Sequence, residues 1–246
     1  MKSQVKTGIL VHGKHPETSR FDYLMWGDPP NRLGCLPTMI FAALEEGIDN
    51  IGAVIIGTGA TKFNGLFESE YIKSLIQNNL ARLNEFPKIS THRNFLDNEV
   101  TLKLSSLVDG IICEKTSKNT FNEVVAAASI FADAGIKKVI QISCGSHLPR
   151  CVLMQLQAKM MGKIPNDQHW YSLADDTVYP GSTLNDVVVV EPPHRGDDPM
   201  LKVEKEIRLN ELVQLIFKVS IEERIKLLKQ IRKILDRDAT LANLDR

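Results

Sequence analysis

The stretch Thr120 to Arg150, TFNEVVAAASIFADAGIKKVIQISCGSHLPR, packs a helix, a stop, a strand, a loop and a second helix start into 31 residues. Thr120 to Ala134 is small and apolar in its middle, as a helix packed closely on a sheet must be, and Gly135 supplies the C-terminal stop. Lys138 to Ile142 then reads as a strand, and Leu148 opens a further helix reaching about Met161. In this stretch the strand lies between two helices, the order that builds a parallel sheet.

The same apolar, β-branched runs recur at Gly8–Val11, Ala53–Ile56, Gly110–Cys113 and Val187–Val190, mostly separated by helix-length segments. They lack polar alternation, so both faces are expected to be buried by helices on each side of a parallel sheet. Pro37 to Glu46 and Glu68 to Leu83 read as helices after the first two strands, and Leu201 to Phe217 and Ser220 to Arg237 as two more at the C-terminal end. Residues 162–184 carry Pro, Asp and aromatic residues in no regular period and are expected to form a lid or a long surface loop. At 246 residues the chain fits one α/β domain, taken as residues 1–200, with a helical extension over 201–246.

Thirty basic and thirty acidic residues cancel, which argues against nucleic acid as the main partner. No apolar stretch approaches the length of a membrane span, and the N-terminal residues lack a signal-peptide core, so a cytoplasmic protein is expected. Cys35, Cys113, Cys144 and Cys151 form no C-x-x-C pair, in keeping with reduced thiols, and their spacing excludes a zinc ribbon.

In an open parallel sheet the strand carboxyl ends collect the binding site, so the loops there decide function. Ser143 to Arg150 leaves a buried strand and enters a helix, with Ser146 as expected N-cap, Pro149 in the first turn and unpaired amides for an anion. Arg150 opposes the positive end of that helix unless something negative binds nearby. His147 has two readings, facing a ligand or fixing the turn. Ser146 and His147 are adjacent and cannot make a catalytic Ser–His bond with each other.

Gly57 and Gly59 begin a loop that would let backbone approach a ligand, though it is neither a Walker loop nor a full G-x-G-x-x-G. Glu70 is either a helix-start acid or a base that orients substrate. His12 is expected to line the pocket. With His15 it forms H-x-x-H, but no third ligand is evident, so no metal site is expected. Asn119 and Thr120 offer capping or ligand-binding groups, and His194 and Arg195 lie in a loop dense in ionisable residues. The C-terminal helix places Arg224, Lys226, Lys229, Arg232 and Lys233 opposite Ile221, Ile225 and Leu228; that face is solvated or docks on a partner or another subunit.

Together these features resemble the SanA/YdcF/ElyC-like family. Its Thr-x-Glu-Asn helix start is followed by a strand and a T-x-x-x-H-x-x-R-like segment, which His147 and Arg150 fit. Thr120-Phe121-Asn122-Glu123 departs from it by exchanging the two polar positions. Arg32, Gly57, Gly59 and Glu70 resemble further family positions, and the likeness covers about residues 8 to 155. The resemblance implies a Rossmann-like three-layer α/β fold. Some relatives are membrane-anchored and serve envelope or lipid-carrier metabolism, and a soluble one is associated with S-adenosylmethionine, a cofactor the resemblance therefore admits. The expected activity is a transferase or hydrolase on a small anionic, nucleotide-like or phosphate-bearing ligand, with His147 moving a proton. The rival is a non-catalytic metabolite-binding or regulatory module.

Overall fold

A computed structural model describes residues 6–18, 20–57, 59–92, 95, 98–178, 183, 187–190, 206–218, 220–223, 225–226 and 229. The chain opens with β1 (Thr7–His12), a short α1 (Phe21–Met25), the hairpin β2 (Gly27–Asp28) and β3 (Arg32–Leu33), and α2 (Cys35–Glu46). Next come β4 (Ile51–Gly57), the hairpin β5 (Lys62–Phe63) and β6 (Leu66–Phe67), α3 (Glu68–Asn79), α4 (Pro87–Ser90) and α5 (Asn98–Asp109). β7 (Ile112–Cys113), α6 (Thr120–Asp133), β8 (Lys138–Ser143), α7 (Leu148–Met160) and β9 (His169–Ala174) complete the core. β10 (Val188–Val190), β11 (Ile207–Arg208) and α8 (Leu209–Lys218) follow.

Five strands form one sheet in the order β7-β4-β1-β8-β9, and every pairing in it is parallel. Strand alternation sorts the core. Ile9, Val11, Val54, Ile56, Ile140 and Ile142 face α2, α3 and α5, whereas Leu10, Ile55 and Val139 face Ala127 and Phe131 of α6. Helices therefore cover both faces, and the architecture is a Rossmann-like three-layer sandwich, as expected. Phe131 lies so close over β1 that a Cβ at Gly8 would meet its ring at 2.6 Å, so only glycine fits beneath it.

Three expectations are overturned. Val187–Val190 is not a strand of the central sheet. Val188 and Val190 pair antiparallel with Arg208 and Ile207, and Val187 and Val189 pack against Leu153 of α7. The fifth strand of the sheet is instead β9, from the stretch expected to be irregular. It is an edge strand, and a residue such as Tyr171, half exposed, leaves no continuous apolar run to read. The β10–β11 ribbon straddles the expected boundary at residue 200, and β11 occupies residues expected to be helical before α8 begins. At Ser220 the expected capping box is present: Ser220 N donates to Glu223 Oε2 at 3.2 Å, and Glu223 N donates to Ser220 Oγ at 3.2 Å. Among the described residues no helix is long and apolar enough to cross a membrane.

Phe131 is fully buried between α6 and the sheet. Phe131→Ala should therefore lower stability by about 3–5 kcal/mol in chemical denaturation. A loss inside the roughly 0.5 kcal/mol range of surface substitutions would show that the ring does not hold the layer in place.

Candidate functional site

The strand order reverses direction between β1 and β8, and the carboxyl ends there form the crevice where open α/β sheets bind ligands. Continuing the alternation of Leu10, Ile55 and Val139 to those ends brings His12, Gly57, Gln141 and Ser143 onto the α6 side. A polar cluster thus sits directly above an apolar layer.

His12 is fully buried, with Nδ1 2.8 Å from Glu123 Oε2 and Nε2 3.1 Å from Gln141 Oε1. Gln141 Nε2 donates to Ser172 Oγ at 2.8 Å, so its oxygen faces the ring and His12 Nε2 carries a hydrogen. Burial opposes a charged ring, but Cys151 and the Glu123 carboxylate outweigh it and push His12 up from 6.5 to about 10. Burial likewise raises Glu123 against the pull of His12. His12 does not line an open pocket as expected: both nitrogens are engaged inside the protein.

His147 stands at the N-terminus of α7, partly buried, its ring centroid 6.2 Å from that of His12. Its Nδ1 lies 2.9 Å from Ser143 Oγ and 3.4 Å from Cys151 Sγ, and its Nε2 3.5 Å from Thr120 Oγ1. Burial, then the charges of Lys14, Arg150 and His12, hold it well below 6.5, so the imidazole is neutral at physiological pH. Lys14 is itself buried, with Nζ 3.4 Å from Ser143 Oγ. Three cations therefore surround one neutral imidazole.

The end of β9 closes the rim. Asp175 Oδ1 accepts from Thr177 N at 2.7 Å and Thr177 Oγ1 at 2.8 Å, and Oδ2 accepts from Cys35 Sγ at 2.9 Å. Burial pushes this carboxyl up from 3.8 to about 6, against those bonds and the charge of Lys14. Asp176 ties the β2–β3 hairpin to the same rim through Leu33, whose N donates to its Oδ2 at 3.1 Å. Arg32 rides on that hairpin, exposed, with Nη1 donating to Tyr23 OH at 2.8 Å.

The helix start differs from expectation. The N-cap of α7 is His147, and Ser146 Oγ lies 3.5 Å from Cys144 Sγ instead of capping. His147 N and Leu148 N both donate to Cys144 O at 2.9 Å, while Arg150 N and Cys151 N donate to His147 O. With Pro149 lacking a hydrogen, the amides of this turn are spent inside the protein. Arg150 Nε donates to Val188 O of β10 at 3.1 Å, which gives its side chain a protein partner.

Gly57 packs against Glu123, whose Cγ would be 3.3 Å from a Cβ there. Gly59 has φ +78°, and a Cβ there would run into Ser117 O. Both glycines thus make room for protein atoms. Glu70 completes a cap by accepting from Phe67 N at 3.0 Å and pairs with Lys115 Nζ at 2.5 Å. Lys115 first, then Phe67, lower its pKa, and of its two readings the helix-start one describes these bonds. Asn119 caps α6 by accepting from Asn122 N at 2.8 Å. His15 turns away from His12 to Glu68, 3.4 Å off. His194 and Arg195 lie outside the described residues.

Lys14, Glu123, Gln141, Ser143, Cys151 and Asp175 are the members of the cluster that the sequence did not single out. Gln141 left a signal, as a polar residue inside an apolar strand. Glu123 left one in the exchanged helix-start pattern; Asp175 lay in a stretch with no period to read. A groove of about 590 Å³ between α3 and α5, lined by Gln77, Leu80, Leu83, Phe95 and Leu104, includes none of these residues. No protein-family model and no curated protein sequence matches the chain.

The folded-state pKa of His12 lies above its unfolded value. The stability it contributes is therefore complete below about pH 6.5 and lost as the pH rises through about 10. Denaturation midpoints should place the wild type well above His12→Gln at the lower pH, with the gap narrowing toward the higher. A gap that widens with pH would show the ring to be neutral when folded.

Proposed function

We propose that the chain is a cytoplasmic enzyme, a transferase or hydrolase, that binds a small phosphate- or carboxylate-bearing, nucleotide-like substrate where β1 and β8 part. The observation that carries this reading is the gathering of His12 and Lys14 about His147: the two rings lie 6.2 Å apart, and Lys14 Nζ is 3.4 Å from the Ser143 Oγ that meets His147 Nδ1, with Arg150 one turn further along α7. Burial first, and the three positive charges after it, keep a proton off this ring; those charges would also draw an anion, and they act in a partly desolvated crevice where charge is weakly screened. A neutral imidazole beside a bound anion can donate a hydrogen bond to it and take up a proton as the reaction proceeds, work usual for histidine. Anion binding is assigned to side-chain cations, because the α7 amides already have acceptors.

The resemblance to the SanA/YdcF/ElyC-like family supports the same place, through Ser143 to Arg150, and admits S-adenosylmethionine among the nucleotide-like ligands. Glu70 is given no proton-transfer role, since its carboxylate is held by Phe67 and Lys115. One observation favours a regulatory module instead: Arg150 bonds the ribbon that leads to α8, so ligand binding could be passed to the C-terminal helices. Turnover of a bound ligand would decide against that reading.

Thermal-shift measurements with inorganic phosphate, nucleotides, sugar phosphates and S-adenosylmethionine test the proposal. At least one ligand should raise the wild-type Tm. Binding should weaken roughly tenfold or more, about 1.4 kcal/mol, in Arg150→Ala and in His147→Ala. Undiminished binding in both variants would move the site elsewhere.

A further inference from the structure

His147 can place its hydrogen on either ring nitrogen, and the groups around Nδ1 decide between them. Ser143 Oγ is 2.9 Å from Nδ1 and also 3.4 Å from Lys14 Nζ. An ammonium has only hydrogens to give, so Lys14 uses one of the hydroxyl's lone pairs as acceptor. The hydroxyl's own hydrogen then needs an acceptor, because Ser143 is fully buried and an unmatched buried donor is destabilising. Among the described residues the acceptor at hand is Nδ1 of His147. Were Nδ1 to carry the ring hydrogen, two donors would point at Oγ and the hydroxyl hydrogen would be stranded. Lys14 donates to Ser143 Oγ, and its charge opposes the rise that burial gives the pKa of both Glu123 and Asp175.

We infer that Lys14 and Ser143 are positioning residues that fix His147 as the tautomer with its hydrogen on Nε2, so that the ring meets substrate as a hydrogen-bond donor. Nε2 faces Thr120 Oγ1 at 3.5 Å, the far limit of a hydrogen bond, and Thr120 itself is half-buried. The donor is therefore weakly occupied. A neutral imidazole in this state polarises an oxygen that gathers negative charge during reaction, a carbonyl or phosphoryl oxygen, and does not begin as a base. The direction of donation follows from the protein's own hydrogen bonds; its use on substrate rests on the function proposed above.

The test is nitrogen NMR of the full chain with ¹⁵N-labelled histidine, with His147→Ala used for assignment. Between about pH 6 and 8 the wild type should show Nδ1 unprotonated and Nε2 protonated, without change across the range. Lys14→Met and Ser143→Ala should each give a mixture of both tautomers, and Ser143→Thr, which keeps the hydroxyl, should restore the single form. A wild-type ring with its hydrogen on Nδ1, an even mixture, or an unchanged pattern in both disruptive variants would overturn the inference. Inorganic phosphate added to the same samples keeps the two proposals apart. A fixed Nε2–H ring whose signals ignore phosphate supports the inference and counts against the anion site alone. Phosphate binding beside a ring protonated on Nδ1 does the reverse.

Discussion

The structure depends on one buried proton. His12 has no solvent contact, and an imidazole placed there is stable only if the groups around it share its charge and use both nitrogens. Glu123 and Gln141 do so, and each demands something more. Glu123 must come from the first turn of α6, which sets that helix over the ends of β1 and β4, and Gly57 leaves the space for its side chain. Gln141 must be turned with its oxygen inward, which Ser172 enforces from the edge strand. A single ring thus ties α6 to three adjacent strands. Its positive charge then helps keep the second histidine neutral.

How much of this was legible follows from burial. β1, β4 and β8 are enclosed on both faces, and their runs of Ile, Leu and Val announce it. Among the described residues β9 has a neighbour on one side only, so its pattern His169-Trp170-Tyr171-Ser172 looked like a loop. The four consecutive valines misled in the other direction, because β-branched residues suit a small ribbon packed on a helix as well as a central strand. The loop Ser143 to Arg150 was found at the right rim, since strand-to-helix turns are visible in sequence. The partners were not, because His12 and Glu123 are 111 positions apart and nothing local connects them. Lys14 follows β1 in the loop, and only the fold shows it to be enclosed.

Charge shows the same division between local and global. The whole chain is neutral, so no bulk field guides a ligand to it. Within the crevice Lys14, Arg150 and His12 stand with Glu123 and Asp175, and Glu123, Asp175 and Cys35 are each shifted by burial before they are shifted by a neighbour. Desolvation sets the scale, and the individual charges set the sign on each ring.

The alternation along β1 has a consequence for how such a chain can change over time. Leu10 and His12 share a side only because a single residue separates them, and Gly8 below them is fitted to Phe131. Exchanging one aliphatic residue for another between Gly8 and Val11 leaves that spacing intact. Adding or removing a single residue there would turn His12 to the α2 side and leave Glu123 facing hydrocarbon. Descendants of this sequence are therefore free to vary in the composition of the strand but not in its length.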